Sequence, residues 1–212
     1  RLLTRHGNRV GALLYGVEVE QMVPARASRQ HVLHLLHAMQ RIRPDDATEK
    51  RASKASTDSA GGTKLSELLT AAANTIRRRS TIFVVSDFIS APGWERPLGQ
   101  LALRHDVVAV RLTDPLELEL PDLGLLTLRD AETGEQLLVD THSPAFRRRF
   151  AALAAQREAD LRAALARAGV DTLELSTGDD LAQAVLRFTD MRKQRARLAS
   201  GAALTAHLRN AG

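Results

Sequence analysis

Two short segments carry the residue types from which a hard-cation site could be built. Asp87 follows the apolar run Thr81–Val85 directly, in Val84-Val85-Ser86-Asp87-Phe88, and Gly61-Gly62-Thr63 stands just before an amphipathic stretch. In an open parallel sheet, loops leave the carboxyl ends of strands toward helix N-termini, so a strand-end carboxylate and a helix-start hydroxyl would share one rim. Completed by water, that oxygen-only donor set suits Mg²⁺. Each residue alone has a plainer reading, Thr63 as a helix cap and Asp87 as a turn residue. Trp94 follows in the Ala91-Pro92-Gly93-Trp94 turn. Exposed there, it would anchor a partner protein, with Ser86 and Lys64 as further contacts; the alternative is packing of the next helix on the sheet.

Other chemistries find less material. His31, His34 and His37 recur every third residue on one predicted helix, but Val32, Leu35, Leu36 and Met39 define its expected inner face and leave the histidines outside. With no cysteine, thiolate sites are excluded. The sequence contains no His-Glu-x-x-His, no phosphate loop ending in Gly-Lys-Ser/Thr and no Gly-x-Gly-x-x-Gly. Ser86-Asp87 lacks the glycines of a nucleophile elbow. Arg77–Arg79, Arg147–Arg149 and the run Arg192, Lys193, Arg195 and Arg197 are basic clusters, while Phe 5, Tyr 1 and Trp 1 leave little for stacking bases. A basic nucleic-acid-associated module is therefore the alternative reading and a metal-dependent hydrolase the third. Nucleic acid is not expected as a partner.

The elements that must position these residues alternate in type. The 212 residues, 44% apolar with net charge +5, suit one domain. Arg9–Tyr15 reads as a buried strand and Glu18–Val23 as a shorter one stopped by Pro24. A helix capped by Ser28 runs up to Pro44. The polar stretch 43–62 is expected to be a flexible surface loop. A helix follows, with Leu65, Leu68, Leu69, Ala72 and Ile76 inward and Arg77–Arg79 closing it. Thr81–Val85 lacks alternation, which predicts a strand buried on both faces. A helix over Trp94–Arg104 and a strand over Val107–Leu112 come next, and then a β-hairpin insertion over 124–140. Ser143-Pro144 opens a long helix ended by Gly169, with Phe146, Phe150, Leu153, Leu161 and Leu165 inward. Val170–Leu175 is a last strand, and Thr177–Asp180 opens a helix with Leu181, Val185 and Phe188 inward. The pattern fades past Asp190, so 191–212 reads as a basic C-terminal tail. The whole predicts an α/β fold, a three-layer mostly parallel sheet.

Gly61-Gly62-Thr63-Lys64-Leu65 followed by Phe83-Val84-Val85-Ser86-Asp87-Phe88 resembles the second and third metal-site segments of von Willebrand factor A-like domains. With Gly7–Tyr15, Asp114-Pro115 and Leu120-Pro121, Val139-Asp140-Thr141 and Leu175-Ser176-Thr177, the chain is similar to the bacterial DUF58 family over Arg1 to Arg197. The resemblance implies a Rossmann-like topology over residues 1–190, with Thr63 and Asp87 in the threonine and aspartate metal roles. The superfamily's Asp-x-Ser-x-Ser segment is absent from this sequence. The fold is therefore expected to be incomplete at its N-terminus, with its apolar sheet edge open to a second copy as a homodimer. Mg²⁺ is expected in the full-length protein and to be weak or absent here. The implied role is a non-catalytic, cytoplasmic interaction domain, an adaptor or assembly factor beside a MoxR-type AAA+ ATPase, reaching a membrane only through segments absent here. If the arginine clusters formed a phosphate surface, affinity for random duplex DNA would fall steeply with salt. The expected outcome of such a titration is no salt-steep binding.

Overall fold

The computed structural model describes residues 8–16, 19–41, 64–129 and 136–209. At its centre lies a parallel sheet of β3 (Thr81–Ser86), β4 (Asp106–Thr113) and β7 (Asp171–Ser176), in the order β3-β4-β7. In β4, Val107 to Arg111 are all buried. On one face, Val107 and Ala109 meet α2 (Leu65–Thr75), α3 (Glu95–Arg104) and α4 (Pro144–Ala168) through Leu69, Leu98, Leu101 and Leu165. On the other, Val108, Val110 and Leu173 pack on Phe188 of α5 (Leu181–Arg209). Each such leucine, fully buried, contributes about 1.5–3 kcal/mol. Helices thus cover a mostly parallel sheet on both faces, the Rossmann-like arrangement expected.

β3 corrects the expectation of two buried faces. Val84 is buried, but Phe83 is 48% and Val85 57% exposed. In register, Phe83 lies beside Val108 and Val85 beside Val110, so they share the sheet face that α5 covers farther along. Among the described residues β3 is an edge strand, and α5 reaches β7 and β4 but leaves the β3 end of that face open.

A second, antiparallel unit joins β1 (Val10–Tyr15) to β2 (Val19–Arg26). Pro24 does not stop β2 as expected. Val10 faces Arg26 and Ala12 faces Val23, so Gly11 opposes both Pro24 and Ala25 in a bulge. There the missing proline N–H costs little. A Cβ on Gly11 would lie 2.8 Å from the Val23 carbonyl oxygen and 2.9 Å from the Ala25 nitrogen, so the bulge requires glycine.

Over this pair lies α1 (Arg29–Arg41), with Ser28 Oγ accepting from the His31 N–H at 3.0 Å as its cap. Its inner face is His31, Leu35 and Ala38, while Leu36 and Met39 are each 52% exposed. The expected face is therefore rotated, and His31 is not on the outside. Its Nε2 lies 2.8 Å from the Val10 carbonyl oxygen, which can only accept, so Nε2 carries the proton and ties α1 to β1.

The hairpin is as expected, β5 (Leu125–Arg129) pairing antiparallel with β6 (Gln136–Asp140). In α4, capped by Ser143 and ended by Gly169 at φ 67°, the buried residues are Ala154, Ala164 and Leu165, while Leu153 is exposed. In α5, Ala184 and Phe188 are buried, whereas Leu181 and Val185 stay exposed. Arg77–Arg79 follow α2 rather than closing it. The expected loop 43–62 lies outside the described residues. No break marks residue 191, because α5 continues through it, and Arg192 pairs with Asp106 and Asp171 at the starts of β4 and β7.

One charge enters the core. Arg111 on β4, its side chain 7% exposed, forms a two-pronged pair with Glu158 of α4 and lies 3.8 Å from Glu174 of β7. Glu158→Ala would leave a buried guanidinium without its main partner, and a loss of about 3–5 kcal/mol is expected in denaturant unfolding. Gly11→Ala forces the bulge apart and is expected to cost about 1–3 kcal/mol in the same assay.

Candidate functional site

The carboxyl ends of β3, β4 and β7 form one rim, and the loop after β3 is its most constrained part. Ser86 Oγ accepts from the Phe88 N–H at 3.0 Å, and Asp87 Oδ1 accepts from the Ile89 N–H at 2.9 Å and from the Ser86 hydroxyl at 3.3 Å. Between these anchors Phe88 adopts φ +61°, the left-handed region that a bulky L-residue enters only under constraint. The constraint is packing. The Phe88 ring is 5% exposed and meets the Trp94 ring at 5.4 Å, tilted by 59°. Driving Phe88 inward turns its neighbours outward, so Asp87 and Ile89 are exposed on either side of it.

The same loop holds the start of α2. Ser90 Oγ accepts from the Leu65 N–H at 3.0 Å, doing from a distance what a capping side chain does locally. This bond brings the beginning of α2, and hence the exposed Lys64, to the rim that carries Ser86 and Asp87. Lys64 lies 3.6 Å from Glu67, an exposed pair of small energetic weight. Thr63 lies outside the described residues. Trp94 corrects the expectation of an exposed anchor: at 4% exposure it belongs to the core beneath the loop, because its indole supplies the surface against which Phe88 folds in.

The donor set bears on the metal expectation. Asp87 is the one carboxylate of the Ser86–Ser90 loop, its Oδ1 is engaged by Ile89 and Ser86, and both serine hydroxyls accept backbone N–H bonds. Among the described residues no group of three or more His, Asp or Glu is arranged to hold an ion. Mg²⁺ keeps several waters and takes one or two carboxylates from a protein, and in this loop Asp87 is the carboxylate on offer.

A second constellation fixes the hairpin. Thr141 is fully buried, donates its hydroxyl to the Gly124 carbonyl at 2.7 Å and accepts from the Leu123 N–H at 2.9 Å. Beside it, Asp122 pairs with His142 Nδ1 at 2.7 Å and with Arg147 at 3.1 Å. Desolvation is the largest single influence and pushes the Asp122 carboxyl up, but the His142 and Arg147 charges and their hydrogen bonds together outweigh it and hold the group below its ordinary 3.8. Arg147 stands near this rim and Arg192 at the opposite end of the strands, so the basic clusters are divided between two ends. The roles of Ser90 and Phe88 have no local sequence signal, since both depend on what the loop folds against. Arg111 had one, a lone charge inside an otherwise apolar strand.

The sequence matches the family described as protein of unknown function DUF58 over residues 1–160. The chain belongs to the DUF58 family. It is 35% identical over 190 residues to the uncharacterized protein Rv1480 of Mycobacterium tuberculosis, an alignment covering 89% of this chain and 55% of that protein. It is 38% identical over 120 residues to the uncharacterized protein MAV169 of Mycobacterium avium, covering 56% of this chain and 69% of that one. This DUF58 chain thus spans about half the length of the first of these relatives. Its fold is similar to the crystal structure of the conserved hypothetical protein BatB from Bacteroides thetaiotaomicron, with TM-score 0.50 and 13% identity over 92% of this chain and 84% of that one. At that identity the likeness speaks to the fold, which is von Willebrand factor A-related.

Two outcomes follow from the site. Ser90→Ala removes the acceptor for the Leu65 N–H and is expected to cost about 1 kcal/mol, with faster amide exchange in the first turn of α2. For Asp122, a carboxyl held lower in the fold than in the unfolded chain contributes stability that is whole above about pH 4 and lost as pH falls through the folded value. Asp122→Asn is therefore expected to flatten the acid limb of a pH-dependent melting series.

Proposed function

We propose that this DUF58 chain is a non-catalytic protein-interaction domain whose contact surface is the rim around Asp87. The observation that carries the reading is the Ser86–Ser90 loop, in which a buried Phe88 in the left-handed region presents Asp87 and Ile89 to solvent. Backbone strain of this kind persists only where surrounding packing over-determines it, and it concentrates at binding and switch sites. A pre-formed carboxylate beside an exposed isoleucine is suited to a partner offering a cation and an apolar contact, with little ordering left to do on binding. Lys64 and Ser86 extend that surface; Trp94 supports it from below.

The partner implied by family resemblance is a MoxR-type AAA+ ATPase, which would supply the energy while this chain acts as adaptor or assembly factor. Mg²⁺ enters the proposal through Thr63 and Asp87 of the full-length protein, with weak or no binding by this chain alone. A cytoplasmic setting belongs to the same proposal. No helix among the described residues is long and apolar enough to cross a membrane, so a membrane would be reached through other segments.

The test is association of the full-length protein with the candidate ATPase, measured by interferometry with and without Mg²⁺. Binding is expected, and Asp87→Ala should weaken it at least about tenfold, the equivalent of 1.4 kcal/mol. No association in either condition would remove the ATPase from the reading, and unchanged affinity in Asp87→Ala would remove the rim.

A further inference from the structure

The β5–β6 hairpin carries leucines on both faces, including Leu125 and Leu138 among the polar residues of its outward face. On one face Val139 is 5% exposed and Leu126 and Leu128 are half-buried, so that face is covered except at Leu137, which is 64% exposed. On the other, Leu125 pairs with Asp140 and Thr127 with Leu138, and this face stands open with Leu125 68% and Leu138 67% exposed. Leu123, just before β5, is 62% exposed, and Leu116, in the 3-10 turn that leads toward it, 56%. A two-stranded hairpin facing water should alternate apolar-in with polar-out, and clustered exposed leucines of this kind mark interaction surfaces. The hairpin is also held rather than loose, by buried Thr141 at its base and by the Asp122 pairs to His142 and Arg147.

Charge indicates what the surface would accept. Residues 114–129 and 136–140 contain five carboxylates, Asp114, Glu117, Glu119, Asp122 and Asp140, against the single Arg129, in a chain whose net charge is +5. Glu117 and Glu119 are exposed and alternate with leucines, and Asp140 lies directly across from Leu125. Electrostatic complementarity selects a positive partner and disfavours anionic surfaces, phosphate backbones and acidic lipid included.

We propose that the outward face of this hairpin docks a basic amphipathic segment of a partner protein, its apolar side on Leu123, Leu125 and Leu138 and its cations toward Glu117, Glu119 and Asp140. The proposal rests on reading the chain as an interaction domain and adds a second contact surface, distinct from the Asp87 loop. Its test uses two synthetic helical peptides with the same leucines, one lysine-rich and one glutamate-rich, titrated into the ¹⁵N-labelled chain.

The lysine-rich peptide should shift hairpin amides saturably, and the glutamate-rich one should not. Leu125→Ser with Leu138→Ser should weaken binding at least tenfold; both side chains are exposed, so folding is expected to survive. Glu117→Lys with Glu119→Lys, a surface change that touches no packing, should do the same and reduce the salt dependence. Equal binding of both peptides, shifts elsewhere than the hairpin, or sedimentation showing that two copies cover this face would each overturn the proposal. Peptide binding here with no association to the ATPase would leave this inference standing and count against the ATPase alone. ATPase binding with a silent hairpin would do the reverse.

Discussion

Burial of β4 on both faces organises the rest of the structure. Val107, Val108, Ala109 and Val110 have lost nearly all contact with water, and the helices on the two sides are held by what they gain from covering that strand. The register of β3 and β7 follows, because a one-residue slip would exchange the side chains owed to α2, α3 and α4 for those owed to α5. The same register brings the carboxyl ends of β4 and β7 level, with β3 ending two residues earlier, and makes a rim. Arg111 continues the buried segment as a charge, tolerated because Glu158 and Glu174 meet it as α4 and β7 pack. Such a pair adds little net stability compared with an apolar replacement, but it penalises any packing that separates the partners.

The rim inherits its geometry from that core. Trp94 starts the segment entering α3 and lies under the loop after β3, where it receives Phe88. The energy of burying two aromatic rings is what holds Phe88 in an unfavoured backbone region, and the consequence is felt one residue away at Asp87. Ser90 then couples the loop to α2. The loop is thus tied to α2 through Ser90 and to the start of α3 through Trp94, and Asp87 is joined to the core through Phe88. The hairpin is held by a separate set of bonds around Thr141 and Asp122, so the two surfaces need not act together.

Much of this was legible in the residues. Elements with strong local signals were placed correctly: β4 by its run of β-branched residues, α4 by Ser143-Pro144 and Gly169, the hairpin by its two short strands. Faces were less legible. The expected inner face of α1 was rotated because hydrophobicity favoured Leu36 and Met39, whereas the position opposite the Val10 carbonyl falls to His31, whose ring is wanted there as a donor. Val85 has the same composition signal as Val84, yet one faces a helix layer and the other water. Pro24 looked like a stop because the bulge that excuses its missing N–H is a property of two strands, and Gly11 lies thirteen residues before it.

The sequence by itself determined the alternation of strands and helices, the family, and Asp87 at the end of a strand, because each is written in near neighbours: side-chain period, caps and turn residues. It also excluded thiolate chemistry outright. Tertiary structure decided that Trp94 is core rather than contact, that Ser90 rather than a local side chain receives the first N–H of α2, and that the hairpin leucines face outward. Those outcomes depend on which surfaces meet after the chain has folded back on itself, and residues far apart in sequence carry no mark of the partner they will find.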